Sequence, residues 1–255
     1  MRRKNIVWTC AYERPEVKSV RKTIRDYITG IILKFCHGAI AYSSYAREYL
    51  IERGMVPQKI RIIGNTTDVV SLNERISKFD RKFSRKELGI KKKAILFAGK
   101  FTKAKKIDLL LNAVHELVVV RARDDILLLL LGDGPIRDEL VRLSHALNII
   151  NCVRFEGVVI GGKEKYFSAA TLAVMPGSGG LFINDCMASR LPIILSFSDG
   201  THYDLIHNFE TGILFNRDDK KDLADKIERL VDDESLRERI ASNAEKLILC
   251  KYKID

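Results

Sequence analysis

Two stretches hold residue types that can act together on an anion. Gly99-Lys100-Phe101-Thr102-Lys103-Ala104-Lys105-Lys106 carries four ammonium groups in eight positions. Met175-Pro176-Gly177-Ser178-Gly179-Gly180-Leu181-Phe182 places three glycines within four positions and runs on through Asp185 to Pro192. The apolar run ending at Met175 reads as a buried strand, the glycines as a tight turn, and Leu181 to Arg190 as a helix. A strand, turn and helix start in that order point backbone N–H groups and the positive helix end at one place, where an anion is stabilised. Ammonium groups facing it make a diphosphate clamp. Alone, a lysine-rich loop is a solvated loop and a glycine turn merely turns; together at strand ends they predict a phosphate site.

Other chemistries find little support. There is no G-x-x-x-x-G-K-[ST]: Gly99-Lys100 lacks the upstream glycine, and Gly162-Lys163 is followed by Glu164. Gly132-x-Gly134 lacks the third glycine of the dinucleotide fingerprint and follows the second strand of its domain, so a nicotinamide cofactor is not expected. His37, His115, His145, His202 and His207 show no metal-ligand spacing. Within helices, His115 and His145 suit packing or surface roles, and His202 on the ligand edge is a weak candidate for touching substrate. Pro176-Gly177-Ser178-Gly179-Gly180 is not a nucleophile elbow, which argues against Ser178 as a nucleophile. No aromatic-basic interleaving or known module supports nucleic-acid binding.

The elements that position these loops follow from periodicity. Asn5 to Cys10 reads as a strand, and a helix from Pro15 to about Phe35 carries Val17, Val20, Ile24, Ile28, Ile31 and Phe35 on one face. Lys18, Arg21, Lys22 and Arg25 form a separate basic stripe. A solvated face is the preferred reading of it; contact with an anionic membrane surface or lipid phosphate is the sharper one. Ala39 to Tyr42 is a second strand, Ser43 and Ser44 cap a helix to about Arg53, and Lys59 to Ile63 is a third strand ending in the turn Gly64 to Asp68. Ser71 to Arg85 looks like a polar connector.

Three strands and two helices fall short of a doubly wound sheet, which alternates strand and helix five or more times. The expectation is that the chain starts partway through a domain or that another polypeptide completes it. From Lys93 the alternation is regular: strands at 94–98, 126–131, 153–155, 172–175, 193–195 and 212–215, helices between them, and a short helix at 203–207. This predicts an open parallel α/β sheet whose ligands sit at the carboxyl ends of the strands. The expected divisions are a partial Rossmann-like domain at 1–75, a linker at 76–92, a complete Rossmann-like domain holding the anion site at 93–235, and a C-terminal helix at 236–255.

The 255 residues are 46% hydrophobic and 30% charged, enough apolar material for one large core or two modest ones. A net charge of +11 calls for an anionic partner without choosing among nucleic acid, membrane and phosphorylated small molecules. Five scattered cysteines without CxxC spacing suit free thiols in a reducing compartment. The run after Met1-Arg2-Arg3-Lys4 is too short for a signal peptide, and no segment has the ~20 apolar residues of a membrane span. A cytoplasmic location is expected, with the inner membrane face as a possible place of work.

From about Cys36 to about Leu247 the sequence resembles glycosyltransferase family 4, retaining enzymes of the GT-B fold in which two Rossmann-like domains face across a cleft. Seven motifs carry the resemblance in order: Ala39-Ile40-Ala41-Tyr42-Ser43-Ser44 through Gly54; Ile60-Arg61-Ile62-Ile63-Gly64-Asn65-Thr66-Thr67-Asp68; Phe97-Ala98-Gly99-Lys100-Phe101 with Lys105; Leu131-Gly132-Asp133-Gly134-Pro135; Val153-Arg154-Phe155-Glu156-Gly157; Asp185-Cys186-Met187-Ala188-Ser189-Arg190-Leu191-Pro192-Ile193-Ile194; and Thr211-Gly212-Ile213-Leu214-Phe215. The resemblance implies transfer of a sugar from a nucleotide-sugar donor, which is a substrate and no cofactor, without a required metal. Lys100 and Lys105 would neutralise the leaving diphosphate, and Gly179, Gly180 and Leu181 would offer amides to it. Asp185 would accept hydrogen bonds from the ribose, and Gly157 and Val158 would lie along the base.

The chain departs from the family pattern in four ways. The family's Glu-x₇-Glu pair is Gly177 and Asp185 here, Lys100 stands for Arg, and Lys106 stands for Gly. The part of the N-terminal domain that would bind acceptor and carry the family's histidine is expected to be missing. The first expectation is therefore a glycosyltransferase acting on a glycan or lipid-linked acceptor. The second is a nucleotide-sugar-binding subunit that needs a partner chain, and the third an unrelated Rossmann-type nucleotide binder.

Overall fold

The structure, a computed structural model, describes residues 4–9, 20–196, 200 and 202–252, without the side chains at positions 20–23 and 25. Lys18 and the side chains of Arg21, Lys22 and Arg25 lie outside the described residues, and with them the basic stripe and its membrane reading. The chain divides into two units, residues 1–65 with 198–204 and residues 66–197 with 205–255.

In the first unit, β1 (Ile6–Thr9), β2 (Gly38–Ala41) and β3 (Ile60–Ile62) form a parallel sheet in that order. Helices α1 (Val20–Lys34) and α2 (Ser44–Glu52) connect them, and the Ser43 side chain caps α2 by accepting from the Ala46 N–H at 3.2 Å. A small core joins Leu33, Cys36, Ala41, Ala46, Leu50 and Ile60. The apolar stripe of α1 is not in it. Ile24, Ile28, Ile31 and Phe35 are exposed, as are Ile6 and Trp8 of β1. The inward face of α1 is Leu33, with Asp26 bound to Arg53 at 3.1 Å. A sheet of this size has too little surface to cover both sides of its helices.

The second unit begins at Thr66, ahead of the expected connector, and includes it. Most of residues 71–85 lie instead in two helices, α3 (Val69–Ser77) and α4 (Arg81–Glu87). The side chains of Asp68 and Asp80 cap them, accepting from Ser71 N–H at 3.0 Å and Phe83 N–H at 2.7 Å. Val69 and Leu72 are buried, and α4 lies on the helix Lys163–Ala169 with Arg85 donating to the Ala169 carbonyl at 2.9 Å. Helices this short have weak intrinsic periodicity; tertiary packing and caps hold them.

The sheet runs β6 (Val153–Gly157), β5 (Ile126–Leu131), β4 (Lys93–Ala98), β7 (Leu172–Met175), β8 (Ile193–Leu195), β9 (Ile213–Leu214), all parallel. Strand β5 is buried along its whole length, as an all-aliphatic strand covered on both faces must be. The covering helices are α5 (Ile107–His115), α6 (Arg137–Ala146), α7 (Lys163–Ala169), α8 (Phe182–Ala188), α9 (Lys220–Asp232) and α10 (Glu234–Lys251). Asn73 ties α3 to Ala188 and to Glu245 of α10, both at 2.8 Å.

The helix expected at 203–207 is a turn. The Thr211 hydroxyl donates to the Leu205 carbonyl at 2.7 Å and accepts from the His207 N–H at 2.8 Å. Those side-chain bonds compete with a helical ladder. No helix among the described residues is long and apolar enough to cross a membrane.

Candidate functional site

The order of the sheet locates the site. From β4 the chain builds outward to β5 and β6, then crosses back to lay β7 on the other flank of β4. Ligands of such sheets occupy the crevice outside the carboxyl ends of the strands at this reversal. The two loops that leave β4 and β7 there are those containing Gly99 to Lys106 and Pro176 to Leu181.

Hydrogen bonds join these loops. The Lys105 ammonium donates to the carbonyls of Ser178 at 2.7 Å and Gly179 at 2.6 Å. In the other direction, the Ser178 N–H donates to the Ala104 carbonyl at 2.9 Å. Gly177 makes this approach possible. A Cβ there would stand 2.3 Å from the Ala104 oxygen and 2.5 Å from the Lys105 carbonyl carbon. The position where the resemblance places an acid thus has no room for any side chain.

Gly132 and Gly134 work the same way: added Cβ atoms would lie 2.0 Å from the Gly99 oxygen and 2.3 Å from the Phe101 oxygen. Beneath the loops, Phe97, Phe101, Phe155, Phe167 and Phe182 make ring contacts with centroids 5.8 to 6.4 Å apart. That aromatic floor fixes the height of both loops.

Above it opens a cavity of about 740 Å³, within the range of small-molecule sites. Gly99, Lys100, Lys105, Val158, Gly179, Gly180, Leu181 and Asp185 line it. Gly157, Gly177 and Ser178 do not. Gly177 lies behind the wall under Lys105, Ser178 serves through its backbone, and the Gly157 carbonyl accepts from the Gly132 N–H at 2.7 Å. The first N–H groups of a helix have no partner within it, and α8 starts at the cavity wall.

Asp185 does not stand alone. It is 8% exposed, and its Oδ2 accepts from the Lys163 ammonium at 2.7 Å while its Oδ1 accepts from the Thr67 hydroxyl at 3.0 Å. Sequence reasoning missed both partners. In the sequence Lys163 falls in a failed phosphate-loop match, and Thr67 in a turn within one of the seven motifs. The motif holding Thr67 was visible, but not the 118-residue separation its contact spans.

Next to Asp185, burial pushes the Cys186 thiol well up, so it serves as a packing residue. Lys106 sits at φ 50° as the N-cap of α5, the left-handed conformation that explains why the resemblance expects glycine there. Its ammonium is paired with Asp218. His115 packs with Nδ1 at 2.8 Å from the Leu147 carbonyl, and His202 is buried in the first unit. Among the described residues no three His, Cys, Asp or Glu side chains gather as metal ligands would.

The family described as Glycosyl transferases group 1 matches residues 80–247. The chain belongs to this family. It is 31% identical over 164 residues to alpha-D-kanosaminyltransferase of Streptomyces kanamyceticus, covering 63% of this chain and 42% of that protein. It is 28% identical over 203 residues to an uncharacterized glycosyltransferase of Methanocaldococcus jannaschii, covering 77% of this chain and 51% of that one. This member of the family thus spans about half the length of these relatives. In three dimensions it superposes on Anabaena HepE, solved in complex with UDP, with a TM-score of 0.80 at 20% identity, over 98% of this chain and 68% of HepE. That likeness establishes a partial GT-B fold: parallel α/β units of the kind that glycosyltransferases of this class contain.

Proposed function

We propose that the chain acts in transfer of a sugar from a nucleoside-diphosphate sugar to a glycan or lipid-linked acceptor, with retention of configuration, and that its second unit binds the donor. The observation that carries this reading is the Lys105 ammonium on the carbonyls of Ser178 and Gly179. It sets a cation and a helix start on one wall of the cavity, with Lys100 on its rim.

Cleavage of the bond between the anomeric carbon and the diphosphate oxygen builds negative charge on the leaving group. Lys100, Lys105 and the amides of Gly179, Gly180 and Leu181 stabilise that charge more in the transition state than in the ground state, which lowers the barrier. The reading assigns this electrostatic work to ammonium groups and amides, with no metal or cofactor. Asp185 accepts from ribose hydroxyls, and the base lies along Gly157 and Val158.

The UDP bound to HepE makes uridine diphosphate the first nucleotide to test. Free thiols at Cys36, Cys152, Cys186 and Cys250 suit a cytoplasmic reaction, at the inner membrane face where the acceptor is lipid-linked. The exposed Ile6, Trp8, Ile28 and Phe35 support packing of the first unit against further polypeptide.

Calorimetric titration with UDP, GDP and ADP tests the donor site. One of them binds the native chain, and Lys100→Ala weakens it about 10-fold or more, the scale of a lost charged hydrogen bond. Lys100 is exposed, so its removal leaves the apo melting temperature unchanged. No binding by any of the three, or equal binding to Lys100→Ala, refutes the assignment.

A further inference from the structure

We infer that Lys163 is a ribose ligand of the donor site, presenting an ammonium donor beside the Asp185 acceptor so that the pair recognises a vicinal diol. The inference rests on the reading of this cavity as a nucleotide site and names a specificity residue within it. Lys163 opens α7, immediately after Gly161 and Gly162 at φ 78° and 69°. Its side chain is 38% exposed where that of Asp185 is 12% exposed. Both side chains line the cavity, so the pair presents an ammonium donor and a carboxylate acceptor to it.

The hydrogen-bond inventory explains why both are needed. A carboxylate offers about four acceptor positions and an ammonium three donors. Asp185 uses one position on Lys163 and one on Thr67, and Lys163 uses one proton on Asp185. What remains is a donor and an acceptor side by side. Two adjacent ribose hydroxyls match that pair: one donates its proton to Asp185, and the other accepts from Lys163. A carboxylate alone could accept from both but leave the hydroxyl oxygens without a protein donor.

Thr67 holds the far carboxylate oxygen and so fixes the direction in which the pair points. The arrangement also compensates for length. Aspartate is one methylene shorter than the glutamate of the resemblance, and the Lys163 ammonium, 2.7 Å from its Oδ2, sets a second polar group beside it.

The test measures selectivity. Calorimetry gives the affinity of the native chain for the tightest of UDP, GDP and ADP and for its 2′,3′-dideoxy analogue. A site built to hydrogen-bond hydroxyls rejects the analogue lacking them because its own polar groups are left unpaired. The native chain should favour the ribonucleotide by about 10-fold or more. Lys163→Met should weaken the ribonucleotide about 10-fold while leaving the dideoxy analogue within about twofold, so the preference collapses. Lys163→Gln, which keeps an N–H donor without the charge, should retain part of the preference.

Equal weakening of both nucleotides in Lys163→Met would show that Lys163 acts on the diphosphate through charge alone, which overturns the inference while leaving the site in place. An unchanged preference overturns it as well. Failure of the native chain to bind any of the three nucleotides would remove the site and the inference together. Melting curves of both variants accompany the titrations, and Lys163→Gln carries the test should Lys163→Met not fold.

Discussion

Replacing Gly177 by alanine adds one methyl group and should disable the site. Gly177 has no left-handed φ, so alanine meets no backbone penalty there and the whole cost is contact. The new Cβ would lie 2.3 Å from the Ala104 oxygen, 2.5 Å from the Lys105 carbonyl carbon and 2.7 Å from its oxygen. These are backbone atoms that cannot rotate away, so the loop after β4 must retreat. Retreat breaks the Ser178 N–H to Ala104 bond and draws Lys105 off the Ser178 and Gly179 carbonyls. Overpacking of this kind costs about 1–3 kcal/mol, and a lost hydrogen bond about 1 kcal/mol more. A cost of about 2–4 kcal/mol lowers the melting temperature of a unit this size by roughly 5–15 °C.

Gly161→Ala is the contrasting control. It has open space but φ 78°, so it carries only the left-handed backbone cost of about 1–2 kcal/mol and leaves the loops in contact. Thermal unfolding followed by circular dichroism, with nucleotide titration of each variant, makes the comparison. Gly177→Ala should lose nucleotide affinity and Gly161→Ala should keep it. Gly177→Glu, which restores the acid of the resemblance, should do worse than alanine. A Gly177→Ala protein melting within about 2 °C of native would refute the packing argument.

Two further outcomes follow from burial and charge. Iodoacetamide at pH 8, mapped by mass spectrometry, should label exposed Cys250 long before Cys152 and Cys186, whose thiols burial pushes up; comparable native-state labelling of Cys186 would contradict its place in α8. The hydrogen bond from Arg123 holds the Asp125 carboxyl below the ordinary range, and Arg123 also binds Asp232 at 2.7 Å. Because the folded carboxyl value is depressed, this stabilisation is present near neutral pH and is lost as the pH falls through that value. The carboxylates are partly exposed, so the Arg123→Met deficit should be about 1 kcal/mol or less at pH 7. It should close as the pH is lowered to about 2, and a deficit that grows toward acid pH would reverse the argument.

The parts legible in the sequence were those with a repeating physical signal. Strand β5 reads directly from six consecutive aliphatic residues, and the two loops read from glycine and lysine at strand ends. What stayed illegible depended on the third dimension. Helices α3 and α4 looked like a connector because their apolar residues are few and their stability comes from capping aspartates and from burial against the rest of the unit. The stripe on α1 looked like an inward face because periodicity reports which residues share a side, not whether anything covers it. Lys163 carries no signal in the sequence, because a lysine after two glycines has no meaning until folding brings its ammonium to Asp185 of α8.

The glycine at position 177 and the lysine at position 163 can be understood as one electrostatic arrangement. The cavity wall carries Lys100, Lys105 and Lys163 against Asp133 and Asp185, a formal charge of +1 from three cations and two anions. The Asp133 carboxylate is already engaged with the Gly134 N–H at 2.7 Å. An acid at 177 would bring the sum to zero and push the Lys105 loop away from the glycine turn. Its absence leaves the cavity positive and the lysine seated on the Ser178 and Gly179 carbonyls. A nucleoside diphosphate brings negative charge at one end and a diol at the other. Such a ligand matches cations grouped at the glycine turn and a mixed donor–acceptor pair at Lys163 and Asp185 better than it would match a cavity given a third carboxylate by the acid that the resemblance expects at 177.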